Sequence, residues 1–489
     1  MTGPPATRSR RWLAVLVGLV LWGLITHGSY AGSGDEPHYM MIAYSLAFDH
    51  DLDLTDDYTN PHNLALGGRV EPGAHVRPGK DGRLRPVHDI GLPLLFTPYY
   101  ALAYEVTEKI IEYVPENWLR RARLNFTVTL RHLLSLAMIT LTAWMSVYLF
   151  TVFMDLSNDS TRAFSWAALL ILSPPIMSHS FLFFTEILSA FMAFRVFLWL
   201  RGSPTSRGAS LLAGAAVGCL FLIHARNAGL VVGLLALAMY RCRRWSNGPA
   251  LLVWFLIGAA TLFVARTAVT YHFWGSWVTT PHARFEAAAG WQPFFTESLT
   301  RLAGWLFDQE DGLLPYAPIY LLLPVGWISL WRLDPELCAE ISVVIVAYVG
   351  AITVPVLNAH GFRGGWGPAA RYLVPVAPFL SILVFAAVAR APRLPLFVRV
   401  LAVVQIGLDA ILWQRPKLLW NNGIGTSALL SYLDRGTGRL SAHIPSLLPP
   451  IGWQTLATIV VAVIGWTLLT WWLARAVTAS TPPAAAARR

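Results

Sequence analysis

Residues 10–39 read RRWLAVLVGLVLWGLITHGSYAGSGDEPHY, an apolar run that follows a pair of arginines and precedes two adjacent carboxylates. Basic residues ahead of an apolar run are typical of a signal peptide, but no small-residue cleavage site with a polar mature start is clear here. We therefore interpret the run from about 12 to 25 as an uncleaved first membrane helix with a cytoplasmic N-terminus. The polar segment after it is the largest loop of the chain, and we expect it to face outward.

The composition excludes a soluble enzyme and a nucleic-acid-binding protein. Of the 489 residues, 55% are apolar and 13% are charged, whereas a soluble chain carries about 25% charged residues. The net charge of +10 comes from short basic clusters between apolar runs, which is how membrane spans are oriented, and a long basic face is missing. The three cysteines lie in or beside apolar runs, which argues against a disulfide framework. Nearly all basic residues are arginine, which points to a bacterial genome rich in G and C.

Twelve apolar runs predict an all-α polytopic membrane protein with about 12 (11–13) transmembrane helices and both termini in the cytoplasm. After the first run, the candidate spans lie near 126–150, 163–178, 181–200, 209–223, 226–240, 249–270, 313–331, 338–357, 370–389, 396–413 and 451–473. Residues 1–480 are expected to form one integral membrane domain, and residues 481–489 a disordered tail. The external segments of this domain would be 29–125, 271–312 and 415–450.

The segment 90–113 is interpreted as a juxtamembrane helix and not as a span. Pro93, Pro98 and Glu105 interrupt its apolar character, as is typical of a helix that lies in the interface. Counting it as a span would also place the arginines near 201 and 241 outside, against the positive-inside bias. The interpretation in turn places the arginines near 120 on the outer side.

The motif Gly34-Asp35-Glu36-Pro37-His38-Tyr39 begins the first external loop, close to the end of the first helix. Ionised groups close to hydrocarbon are costly, so two adjacent carboxylates at a membrane boundary need a reason. A functional reason is that Asp35 acts as general base for an acceptor hydroxyl, with Glu36 orienting the acceptor. A solvated acid pair in a loop is the alternative.

An Asp-Glu pair at this place, followed by an aromatic residue, resembles the type C (GT-C) membrane glycosyltransferases. Within this class, the resemblance is to the protein O-mannosyltransferases, the aminoarabinose transferases and their bacterial relatives. It implies a GT-C-like helix bundle with juxtamembrane helices in a large first external loop. It also implies a polyprenyl-phosphate-linked sugar donor and a reaction at the outer membrane interface with inversion at the sugar. His38 and Tyr39 then become candidates for substrate contact.

Two further residues gain roles from this resemblance. The family has a second acidic residue on the outer side between the third and fourth spans, and Glu186 in Phe184-Thr185-Glu186-Ile187 occupies that place. A carboxylate stabilised by the dipole of its helix start is the alternative for Glu186. His88 precedes the juxtamembrane helix, where relatives have a basic residue, so it is a candidate near the donor phosphate; an interfacial histidine without chemistry is the alternative.

Arginines are the candidates for binding the donor phosphate, because a leaving phosphate needs fixed cations and arginine offers a two-pronged donor. Arg226 lies in His224-Ala225-Arg226-Asn227 at an outward turn, where His224 is a candidate for substrate contact. Arg371 and Arg363 lie in a glycine-rich stretch before a late span, and Arg371-Tyr372 resembles a motif of these transferases. Each arginine has a simpler alternative as an interface anchor whose side chain reaches the head groups.

Acidic residues in two other loops are weaker candidates for a functional role. Asp308 and Glu310 precede a helix, where they either cap it or bind sugar hydroxyls. The run 49–57 contains five aspartates, but its spacing fails the twelve-residue calcium-loop pattern. A solvated acidic edge is favoured there, so no cofactor is expected to be required and metal binding is left unassigned.

The sequence therefore predicts a polyprenyl-phosphate-sugar-dependent glycosyltransferase, hexosyl or pentosyl, in the cytoplasmic membrane of a bacterium with its active site on the external side. Its partners would be the lipid-linked donor, a lipid, glycan or protein acceptor, and membrane lipids, with no nucleic acid. The chain lacks a glycine-rich phosphate loop, in agreement with a donor that is not a nucleotide. A polymerase or ligase with a polyprenyl-diphosphate-linked oligosaccharide donor, and a membrane transporter, are the alternatives.

Overall fold

The computed structural model describes residues 5–27, 34–59, 73, 75–202, 206–277, 291–353, 362–365, 367–391, 393–420, 423–437, 440–447 and 453–479. The predicted disordered tail 481–489 lies outside these residues. The α-helices are Pro5–His27, Glu36–Tyr44, Gly91–Tyr113, Glu116–Ala122, Phe126–Ser157, Ser160–Ile171, Ile176–His179, Thr185–Arg201, Arg207–Ile223, Ala228–Arg241, Gly248–Trp274, Trp291–Phe307, Leu313–Tyr316, Leu323–Leu333, Pro335–Thr353, Ala377–Ala386, Leu396–Gln414, Ala428–Thr437, Leu440–His443 and Trp453–Ala479.

Short non-α elements connect these helices. A π-helical turn spans Ser45–Asp49, and 3₁₀ turns span Ala225–Asn227, Cys242–Arg244, Pro318–Leu322, Arg371–Val376 and Pro416–Leu419. In the described part of the chain, the strands Val76–Pro78 and Leu84–Pro86 form an antiparallel hairpin, in which Val76 pairs with Pro86 and Arg77 with Arg85.

The chain is an all-α polytopic membrane protein, which confirms the predicted fold class. Within the described residues, five helices are long and apolar enough to cross a membrane: Phe126–Ser157, Gly248–Trp274, Pro335–Thr353, Leu396–Gln414 and Leu456–Leu473. Shorter apolar helices accompany them, and each of the twelve predicted spans overlaps at least one helix within the described residues. Apolar side chains such as Leu212, Val264 and Leu468 are exposed, as expected of a surface that faces lipid.

The segment predicted to be juxtamembrane forms helix Gly91–Tyr113, which is not among those five helices. It packs against helices Glu36–Tyr44 and Phe126–Ser157. Leu94 and Leu102 are exposed on it, so one face of the helix is apolar and open. Such a helix suits a position in the interface.

The first long loop leaves and re-enters the bundle at the same end. Glu36, which lies just after the first helix, is 3.7 Å from Arg131, which lies in the second turn of helix Phe126–Ser157 (Nε to Oε2). The end of the first helix and the start of helix Phe126–Ser157 are therefore close together, at one end of the bundle. Below, this end is called the site end.

Glycines let two helices that border the site approach each other closely. A Cβ atom on Gly214 would lie 1.8 Å from the carbonyl oxygen of Phe255, and one on Gly258 would lie 2.1 Å from that of Leu211. Helices Arg207–Ile223 and Gly248–Trp274 thus touch backbone to backbone, as small residues allow in membranes. This contact fixes the turn that follows Ile223, which carries Arg226.

Ion pairs join the helices at the opposite end of the bundle. Arg201 and Arg241 both donate to Glu340, whose side chain is 3% exposed, and Glu336 contacts Arg241 and Arg244. These are the basic clusters that the sequence places in the cytoplasm. The carboxylate of Glu340 therefore neutralises two guanidinium groups that end neighbouring helices.

Replacing Glu340 by glutamine is expected to lower the free energy of unfolding by about 3 kcal/mol, because the buried Arg241 and the partly buried Arg201 lose their shared counter-charge. Thermal unfolding of the purified protein in detergent measures this loss. Glu336→Gln is the matched control on the same helix; its side chain is 34% exposed, so we expect a cost below about 1 kcal/mol. Equal shifts for the two variants would contradict the assignment of Glu340 as the central counter-charge.

Candidate active site

Arg371 joins the first long loop to the middle of the chain. Its Nη2 donates to Oδ2 of Asp35 at 2.6 Å, and its Nε donates to Oε1 of Glu186, also at 2.6 Å. Its third nitrogen, Nη1, donates to the carbonyl oxygen of Gly364 at 3.0 Å. The side chain is 4% exposed, so this guanidinium is held in place by two carboxylates and a carbonyl group.

A tight turn positions the side chain of Arg371. Ala370 adopts a left-handed conformation with a φ of 57°, and its amide donates to the backbone oxygen of Asp311 at 2.9 Å. The 3₁₀ turn Arg371–Val376 starts directly after it. The guanidinium carbon then lies 4.4 Å from the ring centroid of Phe184, a cation–π contact.

Glu186 lies in the first turn of helix Thr185–Arg201 and is shared between two arginines. Besides Arg371, its Oε1 lies 3.6 Å from Nη2 of Arg226. Arg226 belongs to the 3₁₀ turn Ala225–Asn227, and its guanidinium carbon lies 4.1 Å from the ring centroid of Tyr372. We call Asp35, Glu186, Arg226 and Arg371 the acid–arginine cluster. The structure brings these four sequence-predicted residues together.

His224 orients Arg226. Nη2 of Arg226 donates to Nε2 of His224 at 2.8 Å. Burial, with Arg226 and Arg371 nearby, holds the pKa of His224 well below its usual range. The ring is therefore neutral and accepts this hydrogen bond, which fixes the direction of the guanidinium.

Asp35 is ionised in this setting. Burial alone would raise its pKa, but Arg371, His88 and His75 together hold the pKa of Asp35 well below its ordinary value. Its side chain keeps 22% of its surface exposed, so a substrate hydroxyl can reach it. Asp35 is thus an accessible carboxylate whose Oδ2 is bound by Arg371.

The other oxygen of Asp35 faces two histidines. Its Oδ1 lies 3.9 Å from Nδ1 of His75 and 4.0 Å from Nε2 of His88, and these two ring nitrogens are 2.8 Å apart. The hairpin explains the pairing, since Val87 donates its amide to the backbone oxygen of His75 at 3.0 Å. Among the described residues, these three are the one set of at least three potential metal ligands whose atoms lie within 4.8 Å of one another.

The rings of His38 and Tyr39 pack against the two histidines of this set. The ring of His38 stacks on that of His75 with centroids 3.5 Å apart, and its Nδ1 lies 2.7 Å from the hydroxyl oxygen of Tyr58. Burial, together with His75 and His88, lowers the pKa of His38 to about 3, so its ring is neutral. Tyr39 is fully buried, with its ring centroid 5.1 Å from that of His88.

Glu36 points away from Asp35. Its Oε1 accepts a hydrogen bond from the backbone amide of Phe183 at 3.1 Å, and its Oε2 lies near Arg131. The side chain is 1% exposed. This geometry connects the first loop to helix Phe126–Ser157 and to the segment before helix Thr185–Arg201, which is a positioning contact. The orienting role predicted for Glu36 toward the acceptor stays a prediction.

The structure adds an anchor that the sequence did not indicate. Asp89 accepts from the amide of Ala225 at 2.7 Å and from Nη2 of Arg266 at 3.2 Å. Asp89, three residues after the hairpin, thereby connects helix Gly248–Trp274, which carries the buried Arg266, to the turn that carries Arg226. A small cleft opens beside this anchor and is bordered by His88. The one sequence signal for Arg266 is its charge inside an otherwise apolar run.

Asp308 and Glu310 hold backbone and lie outside the acid–arginine cluster. Asp308 accepts from the amides of Glu310 and Asp311 at 2.9 and 2.8 Å. Glu310 accepts from the amides of Gly423 and Gly425, both at 2.7 Å. These contacts hold loop backbone and do not cap the following helix, because helix Leu313–Tyr316 begins after Gly312 without a side-chain cap. Binding of sugar hydroxyls by the two residues stays a prediction.

Arg363 lies at the edge of this region. Its Nη1 donates to the carbonyl oxygen of Gly423 at 3.3 Å, and the side chain is half-buried. The neighbouring Gly364 is the residue whose carbonyl accepts from Arg371. Phosphate binding by Arg363 stays a prediction.

The last aspartate of the acidic run 49–57 is buried. Asp57 is 5% exposed. Burial, with Asp49 and Asp56 nearby, raises the pKa of Asp57 to about 7. The run is therefore not solvated along its whole length.

Stability is expected to fall as the pH rises from about 4 to 7, because folded Asp57 keeps its proton up to its raised pKa of about 7 while an unfolded aspartate loses it near pH 4. Thermal unfolding across this range in wild type and Asp57→Asn measures the effect, and the variant should show a flatter dependence. Asp155→Asn, at an exposed site, is the control and should keep the wild-type slope. An unchanged slope in Asp57→Asn would refute the prediction.

No protein-family model and no curated protein matches the sequence. Solved structures of the oligosaccharyltransferase of Archaeoglobus fulgidus are similar to it. The complex with Zn and sulfate is 14% identical with a TM-score of 0.40, over 90% of this chain and 58% of that one.

Two more structures of that archaeal protein are similar at the same level. The complex of oligosaccharyltransferase AglB with an inhibitory peptide and a dolichol-phosphate is 13% identical, with a TM-score of 0.36, over 95% of this chain and 55% of that one. The apo form is 14% identical, with a TM-score of 0.36, over 97% of this chain and 57% of that one. The chain thus spans little more than half the length of these proteins.

Proposed function

We propose that this protein is a membrane glycosyltransferase that moves a sugar from a polyprenyl-phosphate-linked donor to an acceptor hydroxyl. The observation that carries the proposal is the acid–arginine cluster, in which an accessible carboxylate and two arginines meet at one end of the bundle. A base for the attacking hydroxyl and cations for the leaving phosphate are the two needs of such a transfer.

The bond changes follow from this arrangement. Asp35 takes the proton of the acceptor hydroxyl while the hydroxyl oxygen attacks the anomeric carbon of the sugar. The bond from that carbon to the phosphate oxygen breaks, and the polyprenyl phosphate leaves with the electron pair. Arg371 and Arg226 stabilise the negative charge on the departing oxygen, and attack opposite the leaving group inverts the anomeric carbon.

Arg371 couples donor binding to the basicity of Asp35. While Arg371 is bound to it, Asp35 is a weak base, because the guanidinium stabilises the ionised form of the carboxyl. A donor phosphate offers Arg371 a competing anion with good bidentate geometry. As Arg371 shifts toward the phosphate, the pKa of Asp35 rises, so the base becomes effective when the donor is present.

The site is assigned to the external face of a bacterial cytoplasmic membrane. The arginine groups around Glu340 lie at the other end of the bundle from Asp35, and basic residues favour the cytoplasmic side. The charged groups of the cluster also lie at helix ends and not at mid-span, which fits an interfacial reaction better than a transport pathway. The acceptor class is a lipid, glycan or protein hydroxyl.

The test is a donor screen. The purified protein in lipid nanodiscs is incubated with radiolabelled polyprenyl-phosphate sugars and a mixture of membrane-extract acceptors, and released polyprenyl phosphate is separated and counted. We expect release from at least one hexosyl or pentosyl donor. A parallel set of polyprenyl-diphosphate oligosaccharides tests the polymerase or ligase alternative; release from that set alone, or from neither set, would contradict the proposal.

A further inference from the structure

We propose that Asp35, His75 and His88 bind one divalent transition-metal ion, with Zn²⁺ as the best fit. All three present a ligand atom to a common point at the site end of the bundle. Their ligand atoms are separated by 2.8, 3.9 and 4.0 Å. The binding proposal stands on this geometry and does not depend on the proposed reaction.

The separations suit a tetrahedral ion. Zinc bound at about 2.0 to 2.2 Å from nitrogen and oxygen places its ligand atoms roughly 3.3 Å apart. The observed separations lie on both sides of that value, so shifts of a few tenths of an ångström in the two rings and the carboxylate close the site. Two imidazoles and one carboxylate favour zinc and similar transition metals over Mg²⁺ and Ca²⁺, which prefer oxygen ligands.

The surrounding residues hold the ligands in position before any ion binds. The hairpin bonds the backbone oxygen of His75 to the amide of Val87, the residue before His88. His38 stacks on His75, Tyr39 packs against His88, and Tyr58 fixes the ring of His38. Such outer contacts orient metal ligands in known sites. Helix Glu36–Tyr44 and the hairpin therefore build one preorganised pocket.

The two oxygens of Asp35 have separate partners. Oδ2 is bound by Arg371, whereas Oδ1 faces the two histidines. The metal and the arginine thus use different oxygens of one carboxylate. Three protein ligands leave a coordination position open, as in catalytic zinc sites.

The role of the ion rests on the proposed function. An acceptor hydroxyl bound at the open position has a lowered pKa. Its proton then passes to Oδ2 of Asp35 once Arg371 has moved to the donor phosphate. Its oxygen forms the new bond to the sugar, and the phosphate leaves with the electron pair.

The experiment measures metal binding without donor or acceptor. Protein stripped with a chelator and placed in nanodiscs is titrated with Co²⁺, which absorbs visible light when tetrahedral, and then with Zn²⁺ by equilibrium dialysis. We expect one ion per chain in the wild type and a loss of affinity of more than about 100-fold in His75→Gln/His88→Gln. His443→Gln, at an exposed helix end, is the matched control and should bind like the wild type.

Three outcomes decide the proposal. One ion in the wild type and the control, but not in the double variant with its thermal unfolding unchanged, supports it. Equal binding in all three proteins, or no binding in the wild type, overturns it. Asp35→Asn covers the case in which the double variant does not fold: weaker binding in this variant supports the site, and unchanged binding overturns it.

Failure of the metal site and failure of the proposed function give different results. If the ion binds and no donor is cleaved, the site stands and the transferase assignment falls. If chelator-stripped protein transfers sugar at the wild-type rate, the transferase stands and the metal role falls.

Discussion

Replacing Asp35 by asparagine is expected to lower the rate of sugar transfer about a thousandfold, within the range by which a general base accelerates a reaction. The amide has nearly the same size and keeps an oxygen that can accept from Arg371. It cannot take a proton from the acceptor hydroxyl. Binding of the donor should stay within about threefold of the wild type, because Arg226 and Arg371 both remain.

The measurement is single-turnover release of polyprenyl phosphate at saturating donor, together with equilibrium binding of the labelled donor. Asp56→Asn is the control, since it makes the same substitution at an exposed position of the same loop and should transfer sugar at the wild-type rate. If the protein were a transporter, or if the ion pair of Asp35 were only structural, the substitution would not slow a chemical step. Full turnover in Asp35→Asn would therefore show that Asp35 is not the base of the reaction.

The membrane architecture could be predicted from the sequence because each span carries its own signal. A run of about 20 apolar residues buries itself in lipid whatever its neighbours are. The site residues that could be predicted, such as Glu186 and Arg371, are charged groups beside such runs. A charge there is costly unless it has a partner, but the roles predicted for these two residues come from the family resemblance of the sequence and not from their position alone.

The rest of the site depends on pairing that the sequence does not show. His75 gains its partner through the register of the hairpin, which places it beside a histidine 13 positions later. Arg131 and Arg266 lie inside apolar helices, where their charge stood out, but their partners come from distant loops.

The direction in which a side chain points was the other property that could not be derived from the sequence. Glu36 lies next to Asp35 in the chain, yet successive residues of a helix start point to different sides, so Glu36 contacts Phe183 and Arg131 instead. Similarly, Glu310 lies in a loop where it could have bound a sugar, and it binds the amides of Gly423 and Gly425 from more than 100 residues away. Tertiary contacts alone determine which partners such carboxylates bind.

Replacing Arg371 by methionine is expected to have the second large effect, on both stability and rate. The buried carboxylate of Glu186 loses its shortest ion pair, which costs about 3 to 5 kcal/mol of unfolding free energy. The leaving phosphate also loses a fixed cation, which lowers the rate by about 100- to 1,000-fold. Thermal unfolding in detergent and single-turnover transfer measure the two effects separately.

A second substitution separates the two effects. In Arg371→Met/Glu186→Gln the buried charges are removed together, so most of the lost stability should return, as in other buried pairs that are replaced as a unit. The rate should not return, because the cation is still missing. Recovery of both quantities would show that Arg371 acts only through the structure and does not contact the phosphate.

Arg371→Lys tests the geometry of the guanidinium. Lysine keeps the positive charge, but an ammonium group cannot donate in one plane to Asp35, Glu186 and the carbonyl of Gly364 at once. We therefore expect a rate lowered by about 100-fold with a smaller loss of stability than in Arg371→Met. Arg241→Lys, at a buried ion pair of the opposite end, controls for the general cost of this exchange and should leave the rate unchanged. If the two lysine variants lose rate equally, the fork of Arg371 has no part in catalysis, and a bare positive charge between the two carboxylates suffices.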